Sequence, residues 1–317
     1  MINPKIALLF PGQGSQVVGM GKELALVYPA ARQIFEQADD LLGFPLSRLM
    51  WEGPEGTLND TFNTQPALLV HSIAALRLFE QLFPNFPATF VAGHSMGEIS
   101  ALVGAGALDF AEALKLARTR GQLMKQAGEI TPGGMAAILG LDIPTLEKVC
   151  AEASTSDEIV QVANDNCPGQ VVISGAEGAL ERALSLAQQS GARRAVRLAV
   201  SIASHSPLML SAQADFSEAV GSAPMLEPKI PLVGNVNAAP LTTASQIRSD
   251  LQAQLTHRVR WTETVQFLVN QGITHFLELG TGTVLIGLVK RIYREGVGLA
   301  LGNPVDFEAA GARFINK

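Results

Sequence analysis

Thr89-Phe90-Val91-Ala92-Gly93-His94-Ser95-Met96-Gly97-Glu98 carries the decisive signal of this chain. Thr89 to Ala92 is a short, apolar, β-prone run of the kind that forms a buried strand. Gly93 interrupts it, and a helical pattern begins near Ser95. Strand, glycine turn and helix in that order predict a parallel sheet with helices packed on it, an α/β fold. Gly93-His94-Ser95-Met96-Gly97 also matches G-x-S-x-G in the setting where that pattern has mechanical meaning, a strand-to-helix corner. Two glycines let the chain turn tightly, which thrusts the serine side chain outward. The N–H of Met96 then faces the place where an oxyanion would develop, assisted by the helix start. Ser95 is the candidate nucleophile and Met96 a candidate oxyanion donor.

On the N-terminal side, Ile6 to Phe10 reads as another buried strand, stopped by Pro11-Gly12-Gln13-Gly14. Helical spacing follows over Ala30 to Leu42 and over Pro66 to Phe83, where Pro66 suits a first turn. The Gly12-Gln13-Gly14-Ser15-Gln16 turn follows a strand as a dinucleotide motif would. It has no glycine at position 17, no Lys-Ser or Lys-Thr, and no ribose-binding acid at the right distance. Its N–H groups, Gln13 foremost, are instead candidates for a second oxyanion donor, the alternative being a structural tight turn.

On the C-terminal side the rhythm changes between about Gly133 and Val200. Met135 to Leu139 reads as a strand and Pro144 to Ala153 as a helix. Ile159 to Ala163 and Gln170 to Ser174 read as strands, with Asn164, Asn166, Pro168 and Gly169 in the turn between them. A helix over Ala176 to Ser190 should end at Gly191 in a left-handed cap, and Arg194 to Val200 returns as a strand. Strand-helix-strand-strand-helix-strand is the split ferredoxin-like order. The expected organisation is a large catalytic domain from residues 1–130 and 199–317 with an inserted ferredoxin-like subdomain at 131–198. Parallel-sheet signals resume at Ile230 to Val233 and His275 to Leu279.

Composition narrows the function class. Hydrophobic residues make up 47% of the 317 and charged residues 16%, which predicts a packed interior rather than disorder. A formal net charge of −6 leaves no basic surplus for neutralising phosphates, so no nucleic-acid partner is expected. Cys150 and Cys167 form no CxxC pair and no disulfide framework. The five apolar residues Ile6 to Phe10 are too few for a signal peptide or a membrane span. The run from Ile99 to Leu108 is broken by Gly104 and Gly106. A soluble, cytoplasmic protein without a membrane partner is the expectation.

A serine nucleophile needs a base, and five histidines are available. His71 falls inside a helical pattern, His275 begins a strand, and His94 is fixed on the corner itself, facing away from Ser95. His205 lies in Ser204-His205-Ser206-Pro207, just after the strand that leaves the insertion, where a catalytic base belongs. His257 is the alternative. Asp142, Asp157, Asp165 and Glu181 fall in the insertion, and none stands in a strand-end loop of the main sheet. A Ser–His dyad oriented by a backbone or amide carbonyl is therefore expected rather than a triad.

Several segments in order resemble the malonyl-CoA:acyl carrier protein transacylase family of fatty-acid and polyketide synthesis. They are Phe10-Pro11-Gly12-Gln13-Gly14-Ser15-Gln16, Thr64-Gln65-Pro66-Ala67, Gly93-His94-Ser95-Met96-Gly97-Glu98 and Arg120-Gly121. Asn166-Cys167-Pro168-Gly169-Gln170, Ser204-His205, Gln254-Leu255, Glu278-Leu279-Gly280 and Lys290-Arg291 follow. The resemblance runs over nearly the whole chain. It implies a hydrolase-like large domain carrying the ferredoxin-like insertion. It further implies that Ser95 is acylated, that His205 acts as base and then acid, and that the N–H groups of Gln13 and Met96 bind the oxyanion. The backbone carbonyl of Gln254 would orient the imidazole, and Arg120, rather than Arg118, would hold the free carboxylate of malonate. The partners implied are malonyl-CoA and an acyl carrier protein, with no metal and no cofactor beyond the coenzyme A of the substrate. Lys290, Arg291 and Arg294, or Arg193, Arg194 and Arg197, are candidate docking patches for an acidic carrier. His257-Arg258 stands where the family often has Asn-Pro, and Thr281 and Thr283 replace its usual Pro and Lys.

Overall fold

A computed structural model describes residues 5–315. Residues 1–4 and 316–317, the two ends of the expected large domain, lie outside them. The strands are β1 (Ile6–Phe10), β2 (Phe90–Gly93), β3 (Gly133–Leu139), β4 (Val160–Cys167), β5 (Gln170–Ala176), β6 (Arg194–Arg197), β7 (Leu232–Val233), β8 (Pro240–Leu241), β9 (His275–Leu279) and β10 (Val297–Leu301). They form two sheets. The larger has the order β10-β9-β1-β2-β7-β8 and is parallel throughout except where β8 returns antiparallel to β7. Every residue of β1 is buried. A parallel strand covered by helices on both faces has no solvent side, which is why Ile6 to Phe10 shows no alternation.

The smaller sheet has the order β4-β5-β3-β6 with every neighbour antiparallel, the ferredoxin-like arrangement. Ala136 and Ile138 of β3 face the helices Ile143–Ala153 and Glu177–Gln189 and share a core with Leu146, Val149, Ile173 and Leu180. Met135 and Val172 belong to a separate cluster on the other face, packed with Leu198 and Val200. This sheet is tied to the rest of the molecule by a parallel bridge from Asn164 to Val259. The N–H of Asp165 donates to Val259 O at 2.9 Å and the N–H of Val259 to Ala163 O at 2.8 Å.

Two local expectations are corrected. Asn164 and Asn166 lie within β4, and only Pro168-Gly169 turn the chain between β4 and β5. Register shifts at Val162/Asn164 and Asp165/Cys167 break the alternation there, so the strand imitates a turn in sequence. The helix expected from Pro66 starts earlier, spanning Thr61–Leu82 with Asp60 as its cap, and Pro66 is internal. A proline there cannot donate to the carbonyl four residues back, Phe62. Arg118 fills the gap, its Nη1 donating to Phe62 O at 3.0 Å while the guanidinium lies over the Phe62 and Phe44 rings. Gly191 has the left-handed φ of 90° expected of a helix cap. Among the described residues no helix is long and apolar enough to cross a membrane.

Candidate active site

The corner between β2 and the helix Gly97–Gly104 has the geometry its sequence demands. Ser95 has a φ of 53°, a left-handed conformation that non-glycine residues adopt only when their surroundings enforce it. The flanking glycines are required by close approach. A Cβ on Gly93 would run into the Gly97 carbonyl, and one on Gly97 into the carbonyl of Phe10 at the end of β1.

Ser95 Oγ lies 2.8 Å from Nε2 of His205, which comes from 110 residues further along. His205 Nδ1 is 2.9 Å from the carbonyl oxygen of Gln254 and 3.2 Å from that of His257. A carbonyl only accepts, so Nδ1 carries the proton and Nε2 is the free base facing the hydroxyl. The ring is 2% exposed, and burial, with the Arg120 charge adding to it, depresses the imidazole to about 3. His205 is thus neutral at ordinary pH, with the Nε2 lone pair turned to Ser95 Oγ. Among the described residues no carboxylate is hydrogen-bonded to the ring. Asp142 instead caps a helix and Asp165 accepts from Thr262 Oγ1 at 2.6 Å. The His257 side chain is exposed and turned to Ala253 O and Thr256 Oγ1, so only its backbone faces the site.

Arg120, on the helix Phe110–Ile130, reaches the same point. It is 1% exposed, with Nη2 3.2 Å from Ser95 Oγ and 2.8 Å from Gln254 Oε1, and Nη1 3.0 Å from Gln65 Oε1. All three acceptors are neutral, and its Nε has no partner among the described residues. Burial lowers its pKa to about 10, still leaving it charged. The nearest acid, Glu98, does not neutralise it. Glu98 is fully buried, and desolvation together with the neighbouring Asp250 charge pushes it well above the usual carboxylate range. Burial raises Asp250 as well, but it accepts from the N–H groups of Asn235 and Val236, which favour its charged form, so of the two it is the one that ionises first. A buried cation surrounded by neutral dipoles is a receptor for an anion.

The N–H groups of Gln13 and Met96 have no acceptor among the described residues, as an oxyanion site requires of its donors. Gln13, Ser95, Arg120 and His205 line one cavity of about 750 Å³. Its far wall is the helix-free face of the smaller sheet, through Met135, Asn164, Asn166 and Val172. His94 points away from Ser95 Oγ as expected, its Nε2 2.8 Å from Asn166 Oδ1 and its ring edge-on to Trp261. Among the described residues no group of three or more His, Cys, Asp or Glu side chains is arranged to hold a metal ion.

Sequence reading missed several residues that build this site. Gln161 of β4 donates through Nε2 to the carbonyls of His205 (2.8 Å) and Thr256 (3.2 Å), bracing the histidine loop from the smaller sheet. The Gln254 side chain is a hub, since Nε2 donates to Glu98 Oε2 at 2.6 Å and to Ser95 O at 3.1 Å while Oε1 accepts from Arg120. Asn235 holds the Ser95 backbone, and Gln65 aims Arg120. Gln65 and Gln254 stand in segments that carry the family resemblance and Gln161 in the strand read over Ile159 to Ala163, whereas Asn235 stands in no such segment.

Comparisons with known proteins place the chain in a family. A model of the acyl transferase domain matches residues 7–305. A malonyl CoA-acyl carrier protein transacylase of Bacillus subtilis is 44% identical over 306 residues, covering 96% of either chain. The structure of the malonyl CoA-acyl carrier protein transacylase from Coxiella burnetii superposes with a TM-score of 0.94 at 41% identity, over 98% of both chains. A malonyl-transacylase solved in complex with a type II PKS acyl-carrier protein superposes with a TM-score of 0.92 at 40% identity, covering 99% of this chain and all of that one. On this evidence the chain belongs to the acyl transferase domain family.

Proposed function

We propose that the chain is an acyl-carrier-protein S-malonyltransferase that moves a malonyl group from malonyl-CoA to the phosphopantetheine thiol of an acyl carrier protein through a malonyl-serine intermediate. The observation that carries the reading is the meeting of two groups at one serine oxygen. Ser95 Oγ has a neutral imidazole nitrogen at 2.8 Å and a buried guanidinium nitrogen at 3.2 Å. The first activates a nucleophile, and the second selects an acyl group that carries a carboxylate. Relatives named for malonyl transfer to an acyl carrier protein add support.

In the first half-reaction Ser95 Oγ attacks the thioester carbonyl while His205 Nε2 takes the hydroxyl proton. The oxyanion is received by the N–H groups of Gln13 and Met96, each such donor being worth roughly 2.7–4 kcal/mol. The C–S bond breaks, and the imidazolium returns its proton to the departing coenzyme A sulfur. The imidazolium is held by the Gln254 and His257 carbonyls. In the second half the carrier thiol gives its proton to His205, its sulfur attacks the seryl ester, and Ser95 leaves with the proton restored. Arg120 holds the malonyl carboxylate in both halves. The chemistry draws on no metal or prosthetic group, since coenzyme A enters as part of the substrate. The large domain at 1–130 and 199–317 supplies the reacting groups, and the insertion at 131–198 closes the cleft against water. The setting we assign is the cytoplasm. Incubation with malonyl-CoA, with and without carrier, tests the transfer. Malonyl-carrier should form, whereas malonate release indifferent to the carrier would make the protein a hydrolase.

A further inference from the structure

Backbone pairing between β2 and β7 runs through Val91 with Leu232 and Ala92 with Val233, and then the two chains part. Beyond that point the buried Gly93 O and the half-buried Ser95 N–H have no strand opposite them on the β7 side, although Gly93 still pairs with Phe10 of β1 on the other. Buried backbone groups of this kind need a partner. Asn235, two residues beyond β7, supplies both. Its Nδ2 donates to Gly93 O at 2.7 Å, and its Oδ1 accepts from the Ser95 N–H at 2.7 Å. The amide orientation follows from these partners, one an acceptor only and the other a donor only. Asn235 is 2% exposed and is itself fixed along its backbone. Its N–H donates to Asp250 Oδ2 at 3.1 Å, and its carbonyl accepts from the Arg260 N–H at 3.0 Å.

We propose that Asn235 is the positioning residue of the nucleophile: its side-chain amide stands in for a strand peptide across the corner and sets the direction in which Ser95 Oγ leaves the backbone. The proposal rests on Ser95 being the acylated residue. A left-handed serine persists only when its surroundings over-determine it. The two Asn235 hydrogen bonds grip the chain on either side of the bend, at Gly93 and at Ser95. Without them the corner can relax, and Oγ moves relative to both His205 and the oxyanion donors. A displacement near 1 Å from the reacting geometry lowers rates by about 10²-fold. Asn235 touches neither the Ser95 hydroxyl nor Arg120 by any hydrogen bond, so the substrate grip should survive its loss.

The test is the pre-steady-state rate of Ser95 malonylation from malonyl-CoA, read by intact mass on folded full-length protein across a pH series. In Asn235→Ala the rate should fall on the order of 10²-fold, with the malonyl-CoA concentration for half-maximal rate changed less than about threefold. Asn235→Asp supplies a readout that a general loss of stability would not produce. Its ionised carboxyl would still accept from Ser95 but would confront Gly93 O with a second acceptor. Its protonated carboxyl would restore both hydrogen bonds. The titratable and charged groups around it are Asp250, Glu98, His94 on the corner, the His205 imidazole, Arg120 at Ser95 Oγ, Arg260 on the Asn235 carbonyl and His257 beyond Asp250. With Asp250 charged nearby, the new carboxyl should hold its proton to higher pH than a free one. Malonylation by Asn235→Asp should therefore recover reversibly, by about tenfold or more, as pH falls from about 8 to about 5.5, while the unaltered protein changes little. Both variants acylating within about threefold of the unaltered protein, or Asn235→Asp losing activity on acidification, would overturn the proposal. No adduct on Ser95 of the unaltered protein would remove the reading on which it stands, a different failure.

Discussion

Replacing Arg120 by alanine is the perturbation whose size follows most directly from the geometry. The guanidinium is almost fully buried and makes no ion pair among the described residues, its hydrogen bonds going to Gln65, Gln254 and Ser95. A substrate carboxylate arriving at that position gains a charge-assisted hydrogen bond in a site poorly screened by water, worth roughly 1.5–3 kcal/mol. At 1.36 kcal/mol per factor of ten, the clamp gives a preference of roughly 10- to 150-fold for malonyl over acetyl thioesters. Arg120→Ala should erase that preference mainly by lowering kcat/KM for malonyl-CoA. Acetyl transfer, which never used the charge, should be preserved or improved. Arg120→Lys should recover only part of the ratio, because an ammonium lacks the planar fork. The substitution also strips a donor from Gln65 Oε1 and Gln254 Oε1, so a modest loss of stability is expected. The assay is kcat/KM for malonyl-CoA and acetyl-CoA with one carrier protein, reported as a ratio. A ratio unchanged in Arg120→Ala, with both substrates falling together, would refute the clamp.

Three further outcomes follow from the electrostatics of the site. His205 is held by burial near 3 rather than at its ordinary 6.5. Malonylation should accordingly show no inflection near 6.5 and decline only as the pH approaches about 4, measurable as the pH profile of kcat/KM. The same depression makes stability fall on acidification. From about 6.5 downward the unfolded chain takes up protons at His205 and His71, while the folded forms, at about 3 and about 4, stay neutral. Glu98 is read as protonated beside charged Asp250, so Glu98→Gln should keep both activity and melting temperature close to the original. Glu98→Ala, which leaves the Gln254 Nε2 without its 2.6 Å acceptor, should lower both.

The parts of this molecule that announce themselves in sequence are those whose geometry constrains neighbouring residues. Gly93 and Gly97 must be glycines because carbonyls pass where their Cβ atoms would be, and that constraint is written within five residues of Ser95. The antiparallel order of the smaller sheet was legible because its helices and strands keep clean periods. Where bulges disturb β4 the reading failed, and Asn164 and Asn166 passed for turn residues. Pro66 misled for a related reason. The donor that compensates for it is a side chain 52 positions later, Arg118, which no local rule connects to it. Asn235 and Gln161 were invisible on the same principle. Each acts through one amide on a backbone group 140 or 44 residues away. Neither occupies a sequence pattern that differs from an ordinary loop or strand residue. Separating Arg120 from Arg118 needed the family resemblance. In the structure the two point to opposite tasks, one at the nucleophile and one at the carbonyl freed by Pro66.

In the proposed mechanism Ser95 carries the malonyl group between two half-reactions. Rapid-quench intact-mass analysis with malonyl-CoA alone tests it most directly. A single malonyl adduct localised to Ser95 should appear within the time of one turnover, disappear when carrier protein is added, and be absent from Ser95→Ala. Transfer proceeding at full rate with no adduct on Ser95 at any time would contradict the account.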